Sequence, residues 1–239
     1  MKFAYLIEPP FCYQDAKGAV TGSDVVLARH VCYTLGIRQF DTVETEFPTL
    51  LPGLIKGQWQ MTTGLFPTDA RRALVQFCRP IWVLPDGLLV REQNGQGLTG
   101  YRAVAAQTHV RLAVIRDQVQ HASALENGAR PDQIEIFETY AAAAQAVCEN
   151  RVDAFANVAR AHVGFIAANP ALRLRAVTVS AIEKPPARGA FAFRLDDITF
   201  RNEVDDVLAE FLGSAAHRHM VAPFGFSDAD VDLVVNLGL

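Results

Sequence analysis

The sequence predicts an α/β protein, and three observations carry that prediction. Short apolar runs of strand character alternate with helical patterns along most of the 239 residues. Half the residues are hydrophobic and 20% are charged, which suits a sizeable buried core rather than a disordered chain. No apolar stretch reaches the roughly 20 residues a membrane span needs. The most apolar candidate, 154–168, is interrupted by Asn157, Arg160 and His162. The length admits one large domain or two lobes of roughly 100–150 residues each.

Each element has a local reason. Residues 3–7, Phe-Ala-Tyr-Leu-Ile, read as a first strand. A helix follows Gly22, with Ser23 or Asp24 as its cap, Val25, Leu27, Ala28, Val31, Cys32 and Leu35 as its buried side and Gly36 as its stop. A second helix is expected over 48–56 before Gly57, a buried strand over 59–63, and a short helix capped by Thr68 and running to Val75. Strands are then predicted at 87–90, 110–115, 134–137, 153–156 and 190–194. Helices are predicted at 120–127, 139–149, 159–168, 197–212 and 214–221. The chain shows no internal repeat.

Several apparent motifs dissolve on inspection. Gly95-x-Gly97-x-x-Gly100 has dinucleotide spacing, but Arg91-Glu92-Gln93-Asn94 separates it from the preceding strand, so it reads as a loop. Asp228, Asp230 and Asp232 begin like a calcium loop, but Leu233 and Leu239 stand where a glycine and a bidentate acid are required; helix capping explains them better. His217 and His219 lack a third ligand and are expected at the surface. No metal site is expected. The four cysteines form no CxxC pair, and Cys32 and Cys148 sit in apolar helical patterns that predict core positions. No hydrolase or nucleotide-triphosphatase signature occurs, and no cofactor is implied. A net charge of −4 argues against a nucleic-acid partner.

The first ninety residues are the most informative. Pro9-Pro10-Phe11, then Asp15-x-x-Gly18-x-x-Thr21-Gly22-x-Asp24-Val25, lead to Leu50-Leu51-Pro52-Gly53-Leu54, Gly57 and Gly64. Thr68-x-x-Arg71, Phe77 and Pro80 complete the series, and Phe224-Gly225-Phe226 closes the chain in similar style. In order and spacing this resembles the extracytoplasmic solute-binding proteins, family 3, that serve ABC importers of polar amino acids. The resemblance implies a two-lobed, type II periplasmic-binding-protein-like fold, with the ligand in a cleft between lobes and two crossing hinge strands. Lobe 1 would hold 1–88 and 190–239, and lobe 2 would hold 89–189.

The same resemblance implies a binding site. Arg71 stands at the family's ligand-binding arginine, and a planar guanidinium suits a carboxylate through two parallel charge-assisted hydrogen bonds. Thr63, Gly64 and Phe66 occupy positions where relatives line the ligand, although many amino-acid binders carry a hydroxyl residue where Phe66 stands. Phe11 and Phe47 also fall on pocket positions, so three rings can surround a cation. Glu8 supplies an opposite charge. The set Glu8, Phe11, Phe47, Phe66, Arg71 is similar to that of ectoine-binding members. In the second lobe an ammonium-gripping Asp is expected after the strand at 153–156, but Asn157 and Val158 stand there instead. Gln118 can offer an amide or backbone group.

The expected function is therefore capture of an amino acid or an ectoine-like zwitterion by hinge closure, for an ABC permease, with no catalytic residues. A cyclohexadienyl or arogenate dehydratase-like enzyme on the same scaffold and the sensing domain of a membrane receptor are the alternatives. A periplasmic monomer is expected. Met1-Lys2 leads straight into strand-like sequence with no secretory leader, so the leader is taken as already removed.

Overall fold

The computed structural model of the chain describes residues 1–93 and 97–236. Two compact units emerge: Met1–Val83 together with Arg188–Leu239, and Leu84–Ala187. The first begins with β1 (Lys2–Tyr5), β2 (Tyr13–Gln14), β3 (Val20–Thr21), α1 (Ser23–Thr34), β4 (Asp41–Glu44), α2 (Phe47–Ile55), β5 (Met61–Thr62), α3 (Asp69–Arg72), β6 (Val75–Phe77) and β7 (Trp82–Leu84). The second holds β8 (Asp86–Arg91), α4 (Tyr101–Ala106), β9 (Leu112–Ile115), α5 (Val119–Glu126), β10 (Ile134–Phe137), α6 (Tyr140–Cys148), β11 (Ala154–Val158), α7 (Ala159–Ala168) and β12 (Leu174–Thr178). The chain then returns through β13 (Ala187–Gly189), β14 (Ala192–Arg194), α8 (Ile198–Phe211), α9 (Ala215–Val221) and α10 (Asp228–Val235).

In the first unit, β1 lies between β4 and β5, parallel to both. Phe3, Ala4 and Tyr5 are all buried, as a parallel strand covered on both faces requires. Phe3 stacks on Phe40 and meets Phe191 edge-on. The α1 residues Val25, Leu27, Ala28, Val31 and Cys32 are buried as the periodicity predicts. Trp59, expected in a strand, instead plugs the underside of α2. Its indole Nε1 donates to the Leu50 carbonyl at 3.1 Å, and its ring fills the space where a Cβ on Gly53 would sit, 2.1 Å away.

The helix after Thr68 is shorter than predicted. It covers Asp69–Arg72, because Val75 and Phe77 point inward alternately and pair with β14 as strand β6. His217, expected at the surface, is only 2% exposed. Two residues apart on a helix means nearly opposite faces, so His217 turns inward while His219 stays exposed. The His217 Nδ1 accepts from the Gly213 N–H, and burial pushes its pKa down to about 4, helped by Arg218 and His30. Cys32 is buried, whereas Cys148 is only half-buried. Ser227 caps α10 with Asp230 completing a capping box, and Asp228 and Asp232 pair with Arg218. These aspartates thus serve the helix, although Leu239 lies outside the described residues. So do Gly95 and Gln96 of the glycine-rich stretch. Among the described residues, no cluster of three or more His, Cys, Asp or Glu gathers to hold a metal.

The second unit is a five-stranded sheet in the order β10-β9-β11-β8-β12. Strand β9 runs parallel to β10 and β11, and β8 runs antiparallel to β11 and β12. Leu88, Val90, Leu112, Val114 and Ala156 build its core with Tyr101 from α4. The Tyr101 hydroxyl donates to buried Asp86 at 2.6 Å and the Gln120 amide donates at 3.0 Å, satisfying a carboxyl group whose pKa burial raises. Helix α7 comes so close to β8 that a Cβ on Gly87 would lie 2.6 Å from the Ala159 Cα.

Candidate functional site

Two loops and a short helix of the first unit carry the predicted residues. Glu8, Pro9, Pro10 and Phe11 form a tight turn with a cis Pro9–Pro10 bond. The Phe11 N–H donates to the Glu8 carbonyl at 3.0 Å, and the Glu8 N–H to the Cys12 carbonyl at 2.8 Å. Helix α1 abuts this turn. Its N-cap is Gly22 with no side-chain cap, so neither Ser23 nor Asp24 caps it as expected. The Ser23 and Asp24 amides donate to the Pro10 and Phe11 carbonyls at 2.9 and 3.1 Å. Gly22 has φ 124°, and a Cβ there would lie 2.1 Å from the Phe11 carbonyl oxygen. We expect Gly22→Ala to cost on the order of 3 kcal/mol, from left-handed strain plus overpacking against backbone. Urea unfolding with an unchanged slope reads this as a fall in midpoint.

The loop after β5 is tied to the same helix. The Asp24 Oδ2 accepts from the Thr63 hydroxyl at 2.7 Å and from the Gly64 N–H at 2.8 Å. Cys12 Sγ lies 3.3 Å from the Thr63 Oγ1. Because that hydroxyl gives its hydrogen to Asp24, the thiol is the donor in the second contact. Asp24 is 1% exposed; burial pushes its pKa up to about 6, against the donors Thr63 and Gly64, which lower it. The Trp82 indole N–H lies near enough to favour the charged form without an aligned hydrogen bond. Burial also raises the Cys12 thiol pKa well above its ordinary value.

Arg71 sits on α3, 8% exposed, with its backbone N–H on the capping Thr68 hydroxyl at 3.3 Å. Its Nη1 donates to the Phe66 carbonyl at 2.9 Å, and its guanidinium lies over the Phe47 ring, 5.1 Å from the centroid. Phe47 thus packs against the arginine. Phe11 and Phe66 meet a different ring: Trp82 is 5.6 Å from Phe11 and 5.4 Å from Phe66, the latter edge-on. Gly64 leaves room for that indole, since a Cβ would lie 2.7 Å from its Nε1. Glu8 is half-buried at the start of its turn.

In the second unit, Gln118 is the N-cap of α5, and its buried Oε1 has no hydrogen-bond partner among the described residues. Asn157 lies on β11, 2% exposed. Its Oδ1 accepts from the Val158 N–H at 2.6 Å while its buried Nδ2 has no partner among the described residues. Both are amides, so neither brings a formal charge.

A family profile described as bacterial extracellular solute-binding proteins, family 3, matches residues 2–227. The chain belongs to this family. A probable amino-acid ABC transporter periplasmic-binding protein of Sinorhizobium fredii is 28% identical over 230 residues, covering 92% of this chain and 74% of that protein. The structure of EhuB in complex with hydroxyectoine shares the fold at a TM-score of 0.85 and 23% identity, over 96% of this chain and 90% of that one. The ancestral amino-acid-binding protein AncCDT-1, a precursor of cyclohexadienyl dehydratase, shares it at 0.80 and 22% identity, over 94% of each chain. The two-lobed, type II binding-protein fold expected from the motifs is thus the fold of this chain. No helix among its described residues is long and apolar enough to cross a membrane.

In this solute-binding protein two further residues of the first unit, Asp24 and Trp82, stand beside the predicted ones. Asp24 had a sufficient local explanation as a helix cap, which concealed its bonds to Thr63 and Gly64. Trp82 follows the last family motif at Pro80, and only the return of Gly189 beside it discloses its setting: a Cβ on Gly189 would lie 2.0 Å from the indole ring.

Proposed function

We propose that this protein captures a small zwitterion, an amino acid or an ectoine-like compound, and delivers it to an ABC permease. Arg71 takes the carboxylate; Glu8, with Phe11 and Phe66 backed by Trp82, takes the cation. The observation that carries the reading is the Arg71 guanidinium, held in one orientation by the Phe66 carbonyl and the Phe47 ring. A guanidinium so braced loses little further freedom when it forms two parallel bonds to a carboxylate. Aromatic faces attract a cation, by about 2 kcal/mol or more where water is excluded, and gain most with a delocalised one. Thr63 and Gly64 shape the loop beside them. Gln118 and Asn157 remain candidates in their own unit, and the proposal stands on the first unit's residues without them.

We read the chain as a binder rather than an enzyme, working as a monomer in the periplasm. A thermal-shift titration tests this with ectoine, hydroxyectoine, the twenty amino acids, prephenate and arogenate. A ligand that binds only the folded state stabilises it by about 2.7 kcal/mol at a hundredfold excess over its Kd. A selective shift with one zwitterionic compound is expected. Silence across the panel, or formation of phenylpyruvate or phenylalanine from the last two compounds, would overturn the reading.

A further inference from the structure

We infer that Asp24 is a positioning residue, whose buried carboxylate holds the Thr63–Gly64 loop against the Glu8–Cys12 turn and so sets the two loops of the proposed site in register. Only in calling these the ligand-binding loops does the inference rest on the preceding reading. The geometry is that of a three-way tie. Through its backbone the first turn of α1 takes the Pro10 and Phe11 carbonyls; through the Asp24 carboxylate it takes the Thr63 hydroxyl and the Gly64 N–H. The Cys12 thiol closes the ring by donating to the Thr63 oxygen. Every neighbour hydrogen-bonded to the carboxylate is a donor, including the Ser23 hydroxyl at 3.4 Å, so the group acts as an ionised acceptor. Glycines permit the approach on both sides: Gly22 at the Phe11 carbonyl and Gly64 at the Trp82 indole.

The Thr63 hydroxyl and the Gly64 amide both point to Asp24, so neither is spare for a ligand's carboxylate. A residue that merely filled space would leave those two donors unassigned. An apolar side chain of similar volume could replace such a residue, but it cannot replace Asp24.

Native-state hydrogen exchange on the intact protein decides the matter. In Asp24→Ala the Gly64 amide is expected to exchange about thirtyfold faster, because a buried donor loses its partner. The Ala4 and Val31 amides should stay within about threefold. Asp24→Asn keeps an acceptor oxygen, so Gly64 protection should return, with its amide proton moving upfield as a charged acceptor becomes neutral. Uniform acceleration of all amides in Asp24→Ala would assign Asp24 to general stability and overturn the inference. An unchanged Gly64 amide in both variants would also overturn it. Should Asp24→Ala not fold, the Asp24→Asn spectrum alone decides, through the presence or absence of that shift. With ectoine as probe, affinity should fall about tenfold in Asp24→Ala and be restored in Asp24→Asn. If the wild-type protein takes no ectoine, the ligand reading loses that compound while the exchange result still judges Asp24.

Discussion

Arg71→Ala is expected to abolish measurable binding of whichever carboxylate ligand the thermal-shift panel identifies, with a loss of at least about a hundredfold. Removing one partner of a desolvated, hydrogen-bonded charge pair typically costs about 3–5 kcal/mol, and each 1.4 kcal/mol is a tenfold change. The residue is 8% exposed and rests on the Phe47 ring, so water cannot fully replace the lost guanidinium. Arg71→Lys separates charge from shape. A lysine keeps the positive charge but offers a single compact ammonium rather than a planar fork. Affinity should therefore lie between the wild type and Arg71→Ala. The arginine also donates to the Phe66 carbonyl, so some loop loosening is expected, and the melting temperature of each variant must accompany its Kd. Calorimetric titration with the identified ligand and with its carboxamide analogue makes the test sharp. Arg71→Ala should abolish the preference for carboxylate over carboxamide. Carboxylate affinity within threefold of wild type would remove the anchor assignment.

The legibility of this protein in its sequence divides along a physical line. Elements whose reason is local could be read: β10 and α7 lie where the pattern puts them, because their apolar residues repeat with the period of the element itself. The Thr68 cap was legible from spacing alone, because a cap acts over three residues, whereas Arg71 was singled out only through the resemblance to the family. Strand β4, Asp-Thr-Val-Glu, was not. It is half-exposed and polar, and its strand character comes from pairing with β1. Asp24 shows the same limit inside the site. Its partners Thr63 and Gly64 lie 39 and 40 residues away, and no periodicity encodes such a meeting. The packing of the three rings was not legible: Phe11 and Phe66 meet through Trp82, and Phe47 lies against Arg71, contacts between segments far apart in the chain.

His162 should make the second unit acid-sensitive well above the pH at which carboxylates titrate. The ring is fully buried between α7 and the sheet. Its Nε2 lies 3.2 Å from the Gly87 carbonyl, which can only accept, so the ring hydrogen is on Nε2. Its Nδ1 then takes the Tyr140 hydroxyl at 2.8 Å. This neutral tautomer satisfies both bonds, whereas an imidazolium would oppose the Tyr140 donor. Burial pushes the pKa down to about 3, although the Gly87 and Phe155 carbonyls work in the other direction. In the unfolded chain the same ring titrates near 6.5. The unfolded state therefore binds the proton first, and the stability this group contributes is complete above about pH 6.5. It declines as pH falls, and is gone once pH passes the folded value near 3. Between pH 6.5 and 4 the loss amounts to about 3 kcal/mol, a large share of a typical domain's stability. The histidine imidazole resonance should show no inflection between pH 8 and 4 in the native protein, while exchange of the β8 and β11 amides accelerates over that range. His162→Gln, which keeps a donor for Gly87 and cannot be protonated, should flatten the acid limb even if it lowers stability at neutral pH. An inflection near pH 6 in the native state, or an acid limb that survives in His162→Gln, would show that the imidazole is not held neutral as the structure describes.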